Sequence, residues 1–308
     1  MTAQSFHGVL VPVLTPFTAS GEPDVGRFVE FCRWLLVQGA GGLAIFGTTS
    51  EANSMSPGER MALLDHLVEA GIPAGKLMPG TGACAMTDTA ALVRHAVGHG
   101  CGGVLMLPPF YYKPVSDDGI FAFVGGVIDK VASAALRVYL YHIPPMAVVG
   151  YSLDLVGRLI KAYPQIVVGL KDSSGDWGNT AALLDHYPGF AVFPGSEAVL
   201  LAALRKGGAG CITSTGNINV PGIAKLYGNW QGSEAEALQA EVARVRTTVL
   251  AYPAIPALKR IVAHFHNDSA WAAVRPPLVA LDAAQSAALI GDLTRIGFAL
   301  GERARKAA

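Results

Sequence analysis

An excess of either charge is missing from this sequence. Lys and Arg number 23 and Asp and Glu number 23, so no net field draws nucleic acid or an anionic membrane surface. The expected partner is a small molecule. Charge is also scarce, at 15% of residues against 51% hydrophobic, which leaves more apolar surface than a monomer's polar residues readily cover. That balance points to an oligomer. Apolar runs such as 42–46 and 104–107 are far shorter than the roughly 20 residues that span a bilayer. Residues 1–16 lack the basic start and apolar core of an export signal, so the chain is expected in the cytoplasm. The four cysteines, Cys32, Cys84, Cys101 and Cys211, show no paired metal-site spacing, and reduced thiols are expected in a chain long enough to fold without staples. No low-complexity linker and no repeat of 20 to 50 residues is present, which excludes a solenoid.

What the sequence does have is alternation. Short apolar runs rich in β-branched residues alternate with longer amphipathic stretches, the pattern of successive βα units on a parallel sheet. Eight strands are expected, at 9–14, 42–46, 76–80, 103–107, 137–142, 166–170, 191–193 and 209–213. Helices are expected to begin near Asp24, Thr87, Ser116, Ser152, Asp176, Glu197 and Val220, and at Ser56-Pro57-Gly58-Glu59, a capping box with proline at the first helical position. An open doubly wound sheet usually carries a glycine-rich phosphate loop after its first strand, where this chain has Thr15-Pro16-Phe17. The expected fold is therefore α/β, a closed (β/α)8 TIM barrel over residues 1–228 with a C-terminal helical extension over 229–308 packed on it. That extension is expected to hold helices at 233–250, 255–263 and 283–300.

In such barrels the active site lies at the C-terminal ends of the strands. Most lysines, including Lys130, Lys161, Lys206, Lys225 and Lys259, fall in helical or appended stretches, where a solvated face explains them. Lys171 instead follows Ile166-Val167-Val168-Gly169-Leu170 and closes a buried strand. An ammonium there is costly unless it is used or paired. Use means nucleophilic attack by the neutral amine on a ketone, as in Schiff-base catalysis; pairing means an ion pair with Asp172 or Glu51. The strand-end position favours use.

The preceding strand carries Tyr139 and Tyr141 on one face, with Tyr141 nearer the mouth. Its phenol could relay protons or could simply fill the top layer of the barrel. After the second strand, Gly47-Thr48-Thr49-Ser50-Glu51 forms a turn whose amides and hydroxyls suit a carboxylate, although such turns are common. Gly195-Ser196-Glu197 and Thr213-Ser214-Thr215-Gly216-Asn217 end later strands; they could orient a second substrate or cap the helices that follow. The histidines lie mostly on or near helices, and only His142, Glu51, Asp172 and Glu197 could offer metal ligands at the mouth. Neither a metal nor a cofactor is expected.

With these residues assembled, the chain resembles the dihydrodipicolinate synthase and N-acetylneuraminate lyase superfamily of pyruvate-dependent class I aldolases. The resemblance runs nearly the whole length. It rests on Val11-Pro12-Val13-Leu14-Thr15-Pro16-Phe17, Gly47-Thr48-Thr49-Ser50-Glu51, Pro108-Pro109-Phe110-Tyr111-Tyr112, Tyr141-His142-Ile143-Pro144 and Gly169-Leu170-Lys171-Asp172-Ser173-Ser174-Gly175, in that order. It implies that Lys171 forms an imine with pyruvate or another small 2-oxo acid, that Tyr141 is the proton shuttle, and that Thr48 and Thr49 hold the carboxylate, with Thr48 linked to Tyr141. It further implies that Tyr111 serves a neighbouring subunit's site in a homotetramer built as a dimer of dimers. The carbonyl of Ile212 would face pyruvate, and Gly195 and Ser214 would bind the other half of the substrate, an aldehyde.

The departures are informative. Where the synthase branch has an arginine that grips the acceptor's carboxylate, this chain has Met146, which cannot replace a guanidinium. Poor use of aspartate semialdehyde is expected. The hydroxyls of Ser196, Thr213, Ser214 and Thr215 instead suit a sugar-derived 2-oxo acid held by neutral hydrogen bonds. The expected activity is a Schiff-base lyase or aldolase that makes or breaks a bond to pyruvate. The competing readings are the synthase itself, a dehydratase of 2-oxo sugar acids, and a catalytically silent paralogue.

Overall fold

Proline positions set the lengths of the strands. In the structure, a computed structural model describing residues 5–301, β1 (Gly8–Val11) stops where Pro12 removes a ladder donor. The others are β2 (Gly42–Leu43), β3 (Val104–Met106), β4 (Val138–His142), β5 (Val167–Asp172), β6 (Ala191–Pro194) and β7 (Gly210–Ile212), and every pairing is parallel. They form the orders β2-β1-β7 and β3-β4-β5-β6.

Two seams join these into a ring. The expected strand at 76–80 is not continuous: its start is the 3₁₀ turn Ala74–Lys76, and Pro79 cannot donate. It still bridges β2 and β3 through Leu43↔Leu77 and Gly80↔Leu105, with Met78 N–H donating to Leu43 O at 2.9 Å and Leu105 N–H to Pro79 O at 2.9 Å. On the other side Ala209 N–H donates to Val192 O at 3.0 Å, which closes β6 onto the approach to β7. The fold is thus the TIM barrel.

Alternation along the strands separates two apolar layers. Phe6, Leu10, Met78, Tyr139, Phe193 and Ile212 fill the interior, while Val9, Val11, Val138, Leu140, Leu170 and Val192 face the helices. Gly169 is required by this packing. A Cβ there would lie 2.5 Å from the Tyr139 ring and 2.6 Å from Ala191 O, so only glycine admits the tyrosine beneath the mouth.

Helix starts follow local side-chain chemistry. Asp24, Ser56, Ser116, Ser152 and Asp176 all cap helices with their side-chain oxygens, and Ser56 with Glu59 completes the expected box. The helix expected near Val220 begins earlier, at Gly216, and breaks at Asn219 ahead of Pro221. After β7 the chain is helical: Ala235–Leu250, Ala254–Phe265 and Ala283–Arg295. The last of these stops short of residue 300, because Gly297 turns into the left-handed region at φ 71°. Residues 302–308 of the expected extension lie outside the described residues. Among the described residues no helix is long and apolar enough to cross a membrane.

Candidate active site

β5 runs one residue beyond Lys171, so the lysine sits within the ladder, opposite Tyr141 of β4 and Phe193 of β6. Its side chain is buried, with Nζ 4.3 Å from the centroid of the Tyr141 ring. Among the described residues no carboxylate pairs with it. The two acids that could have done so are engaged elsewhere. Asp172 accepts from Ser174 N–H at 2.9 Å, Asn179 Nδ2 at 2.9 Å and Thr180 Oγ1 at 2.6 Å, and Glu51 pairs with Lys259. The ion-pair explanation of Lys171 therefore fails.

The Tyr141 hydroxyl lies 3.2 Å from Thr48 Oγ1. Tyr139, one layer lower, accepts from Phe6 N–H at 3.0 Å and has no access to the mouth. The Thr48-Thr49 turn is fixed at both ends by left-handed residues, Phe46 at φ 58° and Glu51 at φ 57°. Ser50 Oγ donates to Val13 O at 2.5 Å and Thr15 Oγ1 to Ser50 O at 2.8 Å, so this turn is fastened to the end of β1.

Lys171, Tyr141, Thr48, Thr49, Gly195, Ile212 and Ser214 all line one cavity of about 470 Å³. That volume suits a small organic acid. Two expected residues lie away from it. Tyr111 is 74% exposed, edge-on to Tyr112, and Met146, in the short helix Pro144–Ala147, is 67% exposed. Within this chain neither reaches the cavity that Lys171 lines.

The hydroxyl-lined wall also differs from expectation. Ser196 and Ser214 line the cavity, but Thr213 and Thr215 are fully buried and bonded to the Glu197 carboxylate. A guanidinium takes their place at the wall. Arg246, from helix Ala235–Leu250, lines the cavity and reaches Glu197 Oε2 and Thr213 Oγ1, each at 3.1 Å, through the single nitrogen Nη1. One turn pair earlier on the same helix, Gln239 Nε2 donates to Glu197 O at 2.9 Å. Sequence reasoning missed Arg246 because its partner lies 49 positions away, with no local pattern linking them. The visible signal was weaker: Leu238, Val242, Val245 and Val249 form a buried stripe that presses the helix against the barrel.

A further buried cation, Lys259, is wholly enclosed. Its Nζ donates to Ala273 O at 2.7 Å and lies 4.4 Å from the Phe17 ring, and burial lowers its pKa to about 8 despite Glu51. Of the acceptors considered as metal ligands, His142 points into a separate cavity, where its Nδ1 accepts from Tyr151 N–H at 2.9 Å. Burial lowers the pKa of that imidazole. Among the described residues one cluster could hold a metal ion, Asp65 with His95 and His99, and it lies on outer helices away from this cavity.

Known proteins share both the sequence and the fold. The pattern of the dihydrodipicolinate synthetase family matches residues 5–295. An uncharacterized DapA-like lyase of Chloroflexus aurantiacus is 35% identical over 94% of this chain and 97% of its own length. A 4-hydroxy-tetrahydrodipicolinate synthase of Rhodospirillum centenum is 32% identical over 80% of this chain and 81% of its own. The crystal structure of dihydrodipicolinate synthase from Agrobacterium tumefaciens superposes with a TM-score of 0.88 at 31% identity, covering 94% of this chain and 99% of that one. A barrel whose mouth gathers a buried lysine, a tyrosine and a threonine thus coincides with a match spanning almost the whole chain, and the protein belongs to the dihydrodipicolinate synthetase family of pyruvate-dependent carbon–carbon lyases.

Proposed function

We propose that Lys171 is the Schiff-base nucleophile of a lyase that splits a 2-oxo acid into pyruvate and an aldehyde. The observation that carries this reading is a lysine amine without a carboxylate partner, 4.3 Å from the ring of a tyrosine whose hydroxyl is bonded to Thr48. The amine attacks the ketone carbon, and loss of water leaves an iminium. The bond between the third and fourth carbons then breaks, its electron pair moves into the iminium to form an enamine, and the hydroxyl on the fourth carbon gives up its proton as the aldehyde forms. Tyr141 takes that proton, with Thr48 as its relay partner, and returns one to the enamine carbon before hydrolysis frees pyruvate. The Thr48-Thr49 turn holds the 2-oxo acid's own carboxylate through hydroxyls and backbone N–H groups.

The cavity hydroxyls of Ser196 and Ser214 support a hydroxylated, sugar-derived chain beyond the ketone. The second reading, condensation of pyruvate with aspartate semialdehyde, is favoured by the names of several relatives and opposed by Met146. Assembly as a homotetramer, with Tyr111 completing a neighbour's site, is supported by the exposure of Tyr111, Tyr112, Met146 and Val148. A cytoplasmic location is supported by four unpaired cysteines. The division of the chain into a barrel over 1–228 and a helical unit over 229–308 is supported by the all-helical run after β7.

Borohydride with pyruvate tests the central step, because reduction turns the imine into a stable secondary amine. Wild-type protein gains one reduced pyruvyl adduct by intact mass and Lys171→Ala gains none. Equal labelling of the two proteins overturns the assignment. Tyr141→Phe lowers kcat by about 10²-fold, the scale of positioned proton transfer, while leaving the fold intact. Comparing kcat/KM for aspartate semialdehyde condensation with cleavage of 2-keto-3-deoxy sugar acids separates the two substrate readings.

A further inference from the structure

The Schiff-base reading employs one of the two cations that line the cavity and leaves the other without a task. Arg246 is held in place by contacts that all use Nη1, to Glu197 and Thr213. A guanidinium carries five N–H donors in a rigid fork, so the Nε and Nη2 donors remain available to a bound molecule. The acid behind it is not competing for that edge: Glu197 is fully buried and already accepts from Thr213 and Thr215. Gln239 fastens the same helix to the Glu197 backbone, which keeps the arginine from swinging away. The result is a cation oriented in advance, with few rotamers left to lose on binding.

We propose that Arg246 is the centre of an anion subsite, and that the substrate is a 2-oxo acid bearing a second carboxylate at the end remote from the ketone. This rests on the Schiff-base reading, in which the first carboxylate belongs to the Thr48-Thr49 turn and the ketone to Lys171. The remaining anion then falls to Arg246, a different element of the same wall. Carboxylate fits better than phosphate. Among the described residues lining the cavity the cations are Lys171 and Arg246, while Asp172 and Asp176 are also present, so the second anionic group is better singly charged than doubly charged. A planar carboxylate matches the fork. The exposed Met146 then marks relocation of the anion contact: the guanidinium comes from the C-terminal helix instead of the loop after β4.

The test is a series of 2-oxo acids of matched length. Calorimetry measures Kd for 2-oxoglutarate, 2-oxoadipate and 2-oxopimelate against 2-oxopentanoate, 2-oxohexanoate and 2-oxoheptanoate, in wild type, Arg246→Met and Arg246→Lys. Wild type is expected to favour the diacid by at least about tenfold at one length, the lower end for a charge-assisted contact. In Arg246→Met that ratio falls to near one, and in Arg246→Lys, which keeps a counter-charge for Glu197 but loses the fork, it is intermediate. Equal affinities in wild type at every length overturn the proposal, as does a ratio unchanged by either variant, which would place Arg246 on the first carboxylate or on none. Should Arg246→Met fail to fold, Arg246→Lys decides alone. Pyruvate trapping by borohydride in wild type reports separately on the imine, since calorimetry registers the remote carboxylate whether or not an imine forms.

Discussion

Two buried glutamates show how one arrangement serves different ends. Glu51 follows the Thr48-Thr49 turn and Glu197 follows β6, and each is met by a cation from the C-terminal helices. Around Glu51 the clamp is closed: Lys259 is wholly buried, and Arg275 brings its N–H to Oε2 at 2.9 Å while its side chain reaches Ser54 O and Glu59. Around Glu197 the clamp is open, because Arg246 faces the cavity with its Nε and Nη2 donors uncommitted. Enclosure makes a charge pair structural, and leaving one edge to solvent turns the same pair into a binding group. The difference lies in what surrounds the cation, not in the cation itself.

The largest test of this contrast is Lys259→Met. It strands Glu51 in the interior, and removing one partner of a buried pair costs about 3–5 kcal/mol, read as a fall in the urea midpoint. The double variant Lys259→Met/Glu51→Gln recovers much of that loss; no recovery would mean the lysine stabilises through its packing on Phe17 instead. A smaller loss, about 1–2 kcal/mol, is expected for Arg246→Met, since Glu197 keeps two hydroxyl donors. If Arg246→Met proves as destabilising as Lys259→Met, the open clamp is structural after all.

The smallest effect concerns the rim of the closed clamp. The hydrogen bond from Arg275 lowers the Glu59 pKa from 4.5 to about 2. A carboxylate with a depressed folded pKa stabilises the protein above its unfolded pKa, and that contribution disappears as pH falls from about 4.5 towards 2. Glu59→Gln should therefore lower stability at neutral pH and leave it little changed near pH 2, which flattens the acid limb of the stability curve in that window. An unaltered acid limb would remove Glu59 from the clamp's energetics.

Much of this is legible in the sequence. The βα alternation predicts the barrel, and the run 166–170 ending in Lys171 predicts a lysine at the mouth, because strand periodicity and strand ends are local properties. The same local properties put Tyr141 and the Thr48 turn at strand ends, while the link between the two is implied only by the resemblance. The break in the strand expected at 76–80 has a local signal in Pro79, which cannot donate to a ladder. The roles of Thr213 and Thr215 could not be read locally, since hydroxyls near a strand end look alike whether they face substrate or a buried acid 16 to 18 residues away. The position of Lys259 in a helical stretch suggests a solvated face, yet its partner lies in the other half of the chain, where no spacing rule reaches.

The two clamps also fix an order of events during synthesis. Arg246, Lys259 and Arg275 leave the ribosome after all seven strands, so a nascent barrel carries Glu51 and Glu197 without their counter-ions until the closing helices arrive. The cavity wall is finished by the last part of the chain to be made, and a prematurely ended polypeptide holds the lysine but lacks the arginine beside it.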